Sequence, residues 1–251
     1  MPLRDAILLD YWFKEAIASV MPFVDKVIVN EGYSIDSTYN ELLGLKDIYG
    51  DKLIINRHTW VFVNGIYSKI WMADYEKVDT DWVMLLGADE CWHQNQYDMI
   101  LRLIHNPRAN YLNHHWIHLS PHPDHIIKIE WQSAIGRTGD FRVFQKGHEQ
   151  DCPCWKGMVA RGNTNDGGIM TDINVFHYGL CRDWKSYRMK QARANATYSN
   201  SNEYADGHLS ADIDTTVDCD WRVYPKHTFE HPKVVMEKVI ESRKVAEKRY
   251  I

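Results

Sequence analysis

The chain has 251 residues, enough to bury one sizeable core, and a globular composition of 45% hydrophobic and 25% charged residues without low-complexity tracts. Its formal net charge of −5 offers no global support for binding a phosphate backbone, which argues against a general nucleic-acid binder but leaves room for a local basic groove. Five cysteines without a framework spacing, no secretory signal and no apolar run approaching roughly 18 residues point to a chain with no membrane span in a reducing, cytoplasmic setting.

Leu8, Trp12, Phe13, Ala16, Ile17 and Val20 recur at helical spacing, and Pro22 stops the run. Lys26 to Val29 reads as a short buried strand. The following Asn30 to Thr38 is dense in turn formers, and Asp36 or Ser37 can cap a helix carrying Leu42, Leu43 and Leu45. Leu53 to Ile55 predicts a second strand, Ile66 to Tyr75 a helix, and Trp82 to Leu86 a third strand. Alternation of strand and helix with short links predicts a parallel sheet covered on both faces. Ligands of such sheets bind beyond the carboxyl ends of the strands, so the Glu31–Thr38 loop and Asp89-Glu90 are expected to face one crevice.

Beyond residue 100 the pattern changes. "NHHWIHLSPHPDHIIKIEW" mixes β-formers with His and Pro, "DFRVFQKG" reads as strand and turn, and "CPCWKGMVARGNTNDGG" as loop. "INVFHYGL" predicts a strand ending at His177, and a helix follows Pro232 with Val235, Val239, Ala246 and Tyr250 along one side. This half is expected to add antiparallel strands and the second wall of the crevice. No repeat or linker divides the chain, so a single domain is expected.

Asp89 and Glu90 end an apolar strand. Adjacent residues on extended backbone point oppositely, which lets Asp89 reach the crevice. Acids also suit the first turn of a helix, but a strand leading into a shared rim favours a divalent cation, which needs few carboxylates when a diphosphate supplies other oxygens. His177, otherwise an ordinary structural histidine, would supply an imidazole if its strand lies beside Asp89, and that suits Mn²⁺ better than Mg²⁺. Arg182, Lys185, Arg188 and Lys190 follow on a helix, either as a solvated face or as cations for a leaving diphosphate. Cys152-Pro153-Cys154 with His148 lacks the spacing and second pair of a zinc site. Neither a P-loop nor a G-x-G-x-x-G turn is present, and no nucleophile constellation is recognisable.

Four segments in order resemble family-2-like glycosyltransferases with the GT-A fold. "VDKVIVNEGYSIDST" resembles their first nucleotide-binding turn, and "DTDWVMLLGADE" the strand carrying their D-x-D motif. "FHYGLCR" with Lys190-Gln191 resembles the His-Tyr-Gly segment of a subset, and "FEHPKVVMEKVI" the start of their closing helix. The resemblance implies a GT-A-like, Rossmann-like, mostly parallel sheet flanked by helices, with antiparallel additions. Residues 1–100 would be the nucleotide-sugar-binding half, and 101–251 the acceptor half with the C-terminal helix.

It also implies Glu31, Asp36, Lys69, Asp89 and Arg182 as donor-binding residues, and Asp89, His177 and Glu90 as ligands of Mn²⁺ or Mg²⁺. The implied activity is metal-dependent transfer of a sugar from a nucleotide-diphosphate donor to an acceptor hydroxyl, in its inverting form with a carboxylate as general base. Asp151 is ranked first for that role, ahead of Glu149 and Asp140. Trp92, Trp116 and Trp155 are candidate sugar platforms. The acceptor is open between a glycan, a lipid-linked sugar, a protein and modified DNA. Three departures stand out: Gly87 replaces the first Asp of D-x-D, Glu31 replaces a common Asp, and the fold's first strand would have to precede residue 4. They keep two alternatives in view, a non-catalytic nucleotide-sugar or glycan-binding module and a sugar nucleotidyltransferase.

Overall fold

The structure is a computed structural model that describes residues 1–60, 73–144, 152–155, 168–199 and 220–248. It is a mixed α/β fold with two principal sheets. The first is parallel and three-stranded, in the order β1 (Pro2–Leu3), β2 (Val27–Glu31), β3 (Leu53–Arg57). The second has five strands. β4 (Trp82–Met84) pairs antiparallel with β7 (Ile126–Arg137), which pairs antiparallel with β6 (Tyr111–Leu119). β6 lies parallel to β10 (Gly168–His177), and β10 lies antiparallel to β5 (Glu90–Trp92). β8 (Phe141–Phe144) and β9 (Cys152–Trp155) form a separate antiparallel pair.

Two expectations change here. Trp82–Met84 does not extend the parallel sheet but joins the mixed one against β7. An apolar run shows that a strand is buried, not which neighbour it takes, so the third strand of the expected parallel sheet was misplaced. The start of the "CPCW" segment, expected as loop, is β9; with β8 its one partner among the described residues, a strand there accommodates Pro153. Pro2–Leu3 also supplies a short strand before residue 4, pairing with Asn30 and Glu31. The expected helix over 66–75 falls mostly outside the described residues. Because β4 and β5 share a sheet with β6, β7 and β10, a boundary at residue 100 passes through that sheet.

The helices are α1 (Phe13–Val20), α2 (Thr38–Tyr49), α3 (Tyr97–Ile104), α4 (Trp184–Ser199) and α5 (Met236–Lys248). α1 buries Phe13, Ala16, Ile17 and Val20, the face its spacing predicts. Its Ser19 Oγ accepts the Trp92 N–H at 3.1 Å, fastening the helix to β5. One continuous apolar core joins Val29 and Leu53 of the parallel sheet to Trp92, Ile117 and Val175 of the mixed one. At the N-terminus of α2 the capping bond comes from Asp36, one of the two expected residues. Ser37 is the N-cap but makes no side-chain capping bond, and Asp36 Oδ1 accepts the Thr38 N–H at 2.9 Å instead.

α5 is held by a buried polar chain. Tyr178, stacked on Trp12 with centroids 4.3 Å apart, donates its hydroxyl to His231 Nδ1 at 2.8 Å. His231 Nε2 faces Asp124 at 3.4 Å, and Arg243 of α5 grips the same carboxylate at 2.6 Å. Burial is the main cause holding the His231 imidazole down, to about 4. Burial also takes the fully enclosed His114 to about 3. Both groups fold neutral while their unfolded counterparts titrate near 6.5, so the unfolded chain binds more protons between about pH 6.5 and 4. Stability is expected to be full above that window and to fall as pH drops through it. Urea midpoints at pH 7.5 and 5 measure the loss, and His114→Phe is expected to flatten it.

Candidate functional site: a buried carboxylate between two cations and an imidazole

Asp89 sits in the turn between β4 and β5 and is 6% exposed. The stretch after β10 is built around it. Tyr178 N–H donates to the Asp89 carbonyl at 2.8 Å, bringing the end of β10 against the turn. His177 Nε2 then stands 3.4 Å from Oδ1, Arg182 Nη2 donates to Oδ2 at 2.9 Å, and Lys190 Nζ of α4 donates to Oδ2 at 2.7 Å. Gly179 permits the approach, because a Cβ there would stand 2.6 Å from the His177 ring and 3.3 Å from Asp89 Oδ2. Burial alone would raise the Asp89 carboxyl, but Lys190, His177 and Arg182 outweigh it and hold it well below the usual range.

Arg182 is fully buried, and its Nη1 donates to the Leu9 carbonyl at 2.5 Å. Tyr11 lies beneath both cations, 4.5 Å from the Arg182 guanidinium and 4.8 Å from the Lys190 ammonium. The Lys190 side chain is about a quarter exposed, which makes it the member of the pair that meets solvent.

Gly87, the departure from D-x-D, has a local reason. A Cβ there would stand 2.6 Å from the Glu90 carboxyl carbon, and Glu90 Oε2 instead accepts the Gly87 N–H at 2.9 Å. Glu90 thus folds back on its own turn.

The loop after β2 reaches the same rim through the segment before α1. Asp36 Oδ2 accepts the Leu8 N–H at 2.6 Å, and Asp5 Oδ1 accepts the Ile35 N–H at 2.8 Å. Ser186 of α4 donates to the Leu8 carbonyl at 3.2 Å. Glu31 is fully buried and accepts from Ser34 N–H at 2.5 Å, Tyr33 N–H at 3.1 Å and Arg57 Nε at 2.7 Å. Glu31 and Asp36, expected to meet a donor, are therefore bound within the protein and shape the loop. Asp5, Asp10 and Tyr33 adopt left-handed φ of 51°, 48° and 53°, and all three lie in these rim segments. Strain of this kind persists only where the surroundings over-determine it.

The remaining expected residues separate. Lys69, Glu149, Asp151 and His148 lie outside the described residues, and Asp140, closing the short turn Thr138–Asp140, is described through its main chain only. Trp92 is core, fully buried near His114, and has no face for a sugar. Trp116 is half-buried with its ring 4.8 Å from His177. The Trp155 side chain is outside the description. The residue missed from sequence is His118, whose Nδ1 is 3.0 Å from His177 Nδ1. Alternation of Trp116 and His118 on one face of β6 was the available signal.

No protein-family model matches the chain, and no curated protein does either. Among solved structures it is similar to HddC from Yersinia pseudotuberculosis, at 11% identity over 73% of this chain and 83% of that one, with a TM-score of 0.40. That likeness is too slight to support any statement about fold or function.

Removing one partner of a buried ion pair strands the other charge, whereas an exposed pair contributes little. Arg182→Met is expected to cost about 3 kcal/mol in urea denaturation. Lys26→Met, which breaks the exposed pair with Asp79 at 2.9 Å, is expected to leave the urea midpoint nearly unchanged.

Proposed function

We propose that this chain is a metal-dependent glycosyltransferase that moves a sugar from a nucleotide-diphosphate donor to an acceptor hydroxyl, with inversion. The observation that carries the reading is the meeting of Asp89, His177, Arg182 and Lys190 at one rim, in the order and residue types of the resemblance to family-2-like enzymes.

The donor set fits a divalent cation. Asp89 Oδ1 and His177 Nε2 offer one hard oxygen and one imidazole nitrogen side by side, a pairing that suits Mn²⁺. Among the described residues no group of three or more His, Cys, Asp or Glu could hold a metal, so diphosphate oxygens and water would complete the shell. When bound, the cation would supply Lewis-acid neutralisation of the leaving diphosphate.

The chain's own groups do the rest. Arg182 keeps the Asp89 carboxylate ionised and fixed against the Leu9 carbonyl. Lys190 carries three N–H donors and meets solvent, so it can turn one toward a phosphate oxygen as charge develops there. Tyr33 and Tyr39, each with the Arg57 guanidinium 4.2 Å over its ring, stand at the Glu31 loop, where an aromatic ring could meet a nucleobase. A carboxylate deprotonates the acceptor oxygen as it attacks the anomeric carbon; Asp151, Glu149 and Asp140 are the proposed bases, in that order.

A screen of nucleotide sugars with Mn²⁺, read by release of nucleoside diphosphate, tests the proposal. Asp89→Ala is expected to abolish release, and Lys190→Ala to lower kcat about 10²-fold, as for loss of a preorganised donor to developing charge. Binding of a nucleotide sugar in calorimetry without turnover of any acceptor would instead make the chain a binding module.

A further inference from the structure

The ring of His177 is engaged on its far side as well. Glu130 Oε2 lies 3.0 Å from His118 Nε2, His118 Nδ1 lies 3.0 Å from His177 Nδ1, and His177 Nε2 lies 3.4 Å from Asp89 Oδ1. Strand register accounts for the alignment. His177 of β10 is paired with His118 of β6, while β7 sets Glu130 opposite Trp116 and Lys128 opposite His118. These side chains share one face of the sheet. Lys128 Nζ holds the other Glu130 oxygen at 3.0 Å, and the Trp116 ring lies 4.0 Å from His118.

Counting hydrogens along the row exposes a deficit. Two carboxylates and two imidazoles make three contacts, and each contact needs one hydrogen or a cation. Two neutral imidazoles carry only two hydrogens, and ionised carboxylates carry none. Glu130 is nearly half exposed and anchored by Lys128, so it takes the His118 Nε2–H. The bare Nδ1 of His118 then accepts the His177 Nδ1–H. His177 Nε2 is left with its lone pair aimed at a carboxylate oxygen, an arrangement that repels until a cation lies between them.

We propose that Glu130 and His118 are positioning residues that hold His177 in the tautomer with a bare Nε2, preorganising the gap between His177 and Asp89 for a divalent cation. The inference rests on the metal reading of the preceding subsection and adds its second tier: a carboxylate orienting one histidine, which orients another. Such outer partners fix the ring and raise its basicity.

The test is Mn²⁺ binding to the intact chain by electron paramagnetic resonance, with and without UDP as probe. Glu130→Ala and His118→Phe are each expected to weaken Mn²⁺ binding about tenfold or more. Glu130→Gln, which retains an acceptor oxygen for His118, is expected to stay near the parent, an outcome that a merely structural role for the charge would not give. If the parent binds Mn²⁺ and Glu130→Ala binds it equally well, the positioning role is overturned while the metal reading stands. If the parent binds no Mn²⁺ with or without UDP, both fall. Should His118→Phe fail to fold, the largely exposed Glu130 still decides the question.

Discussion

A carboxylate taken out of water must be compensated, and in this protein the compensation of Asp89 organises much of the structure. The effective penalty for burying one ion is several kcal/mol, and it is offset here by Arg182, Lys190 and His177 together. Each comes from a different place: His177 from the last residue of β10, Arg182 from the turn after it, Lys190 from the second turn of α4. The run His177-Tyr178-Gly179 serves one end, with a ring, a backbone donor and a missing Cβ all fitted to the same turn.

The backbone of the same residue ties the closing helix to the rim. Tyr178 sends its backbone N–H to Asp89 and its hydroxyl to His231, which leads through Asp124 to Arg243 on α5. Two segments that the sequence offers as separate signatures, His-Tyr-Gly and the His-Pro before the last helix, are thus joined by a single tyrosine. Asp124, His231 and Tyr178 connect α5 to the Asp89 main chain.

Local features were legible in the sequence and pairings were not. The 3.6-residue spacing through Ile17 placed α1, and the end of β10 at His177 followed from an apolar run closed by a polar residue. Asp89 could be singled out because a charge at the end of a buried strand needs an explanation. The partner of β4 could not be read, since an apolar run fixes neither its neighbour nor its direction, and Trp82, Val83 and Met84 are in fact only half-buried. Glu31 and Asp36 illustrate a different limit. Their residue types announce carboxylates on a loop, but only coordinates reveal that their oxygens hold the loop's N–H groups, the Leu8 N–H and the Arg57 guanidinium. His118 was obscured because register, not composition, brings it to His177.

The bonds that close the ionic cluster span very different stretches of chain: 93 residues from Arg182 to Asp89, 101 from Lys190 to Asp89, and 173 from Arg182 to the Leu9 carbonyl. Each loop must be closed, at an entropic cost, before any of these contacts can form. The cluster therefore forms only once long stretches of chain have been brought together. A ribosome-bound chain not yet released beyond β10 holds Asp89 with neither Arg182 nor Lys190. Until then the apolar strand that leads into it has an uncompensated acid at its tip, a built-in brake on premature burial of that turn.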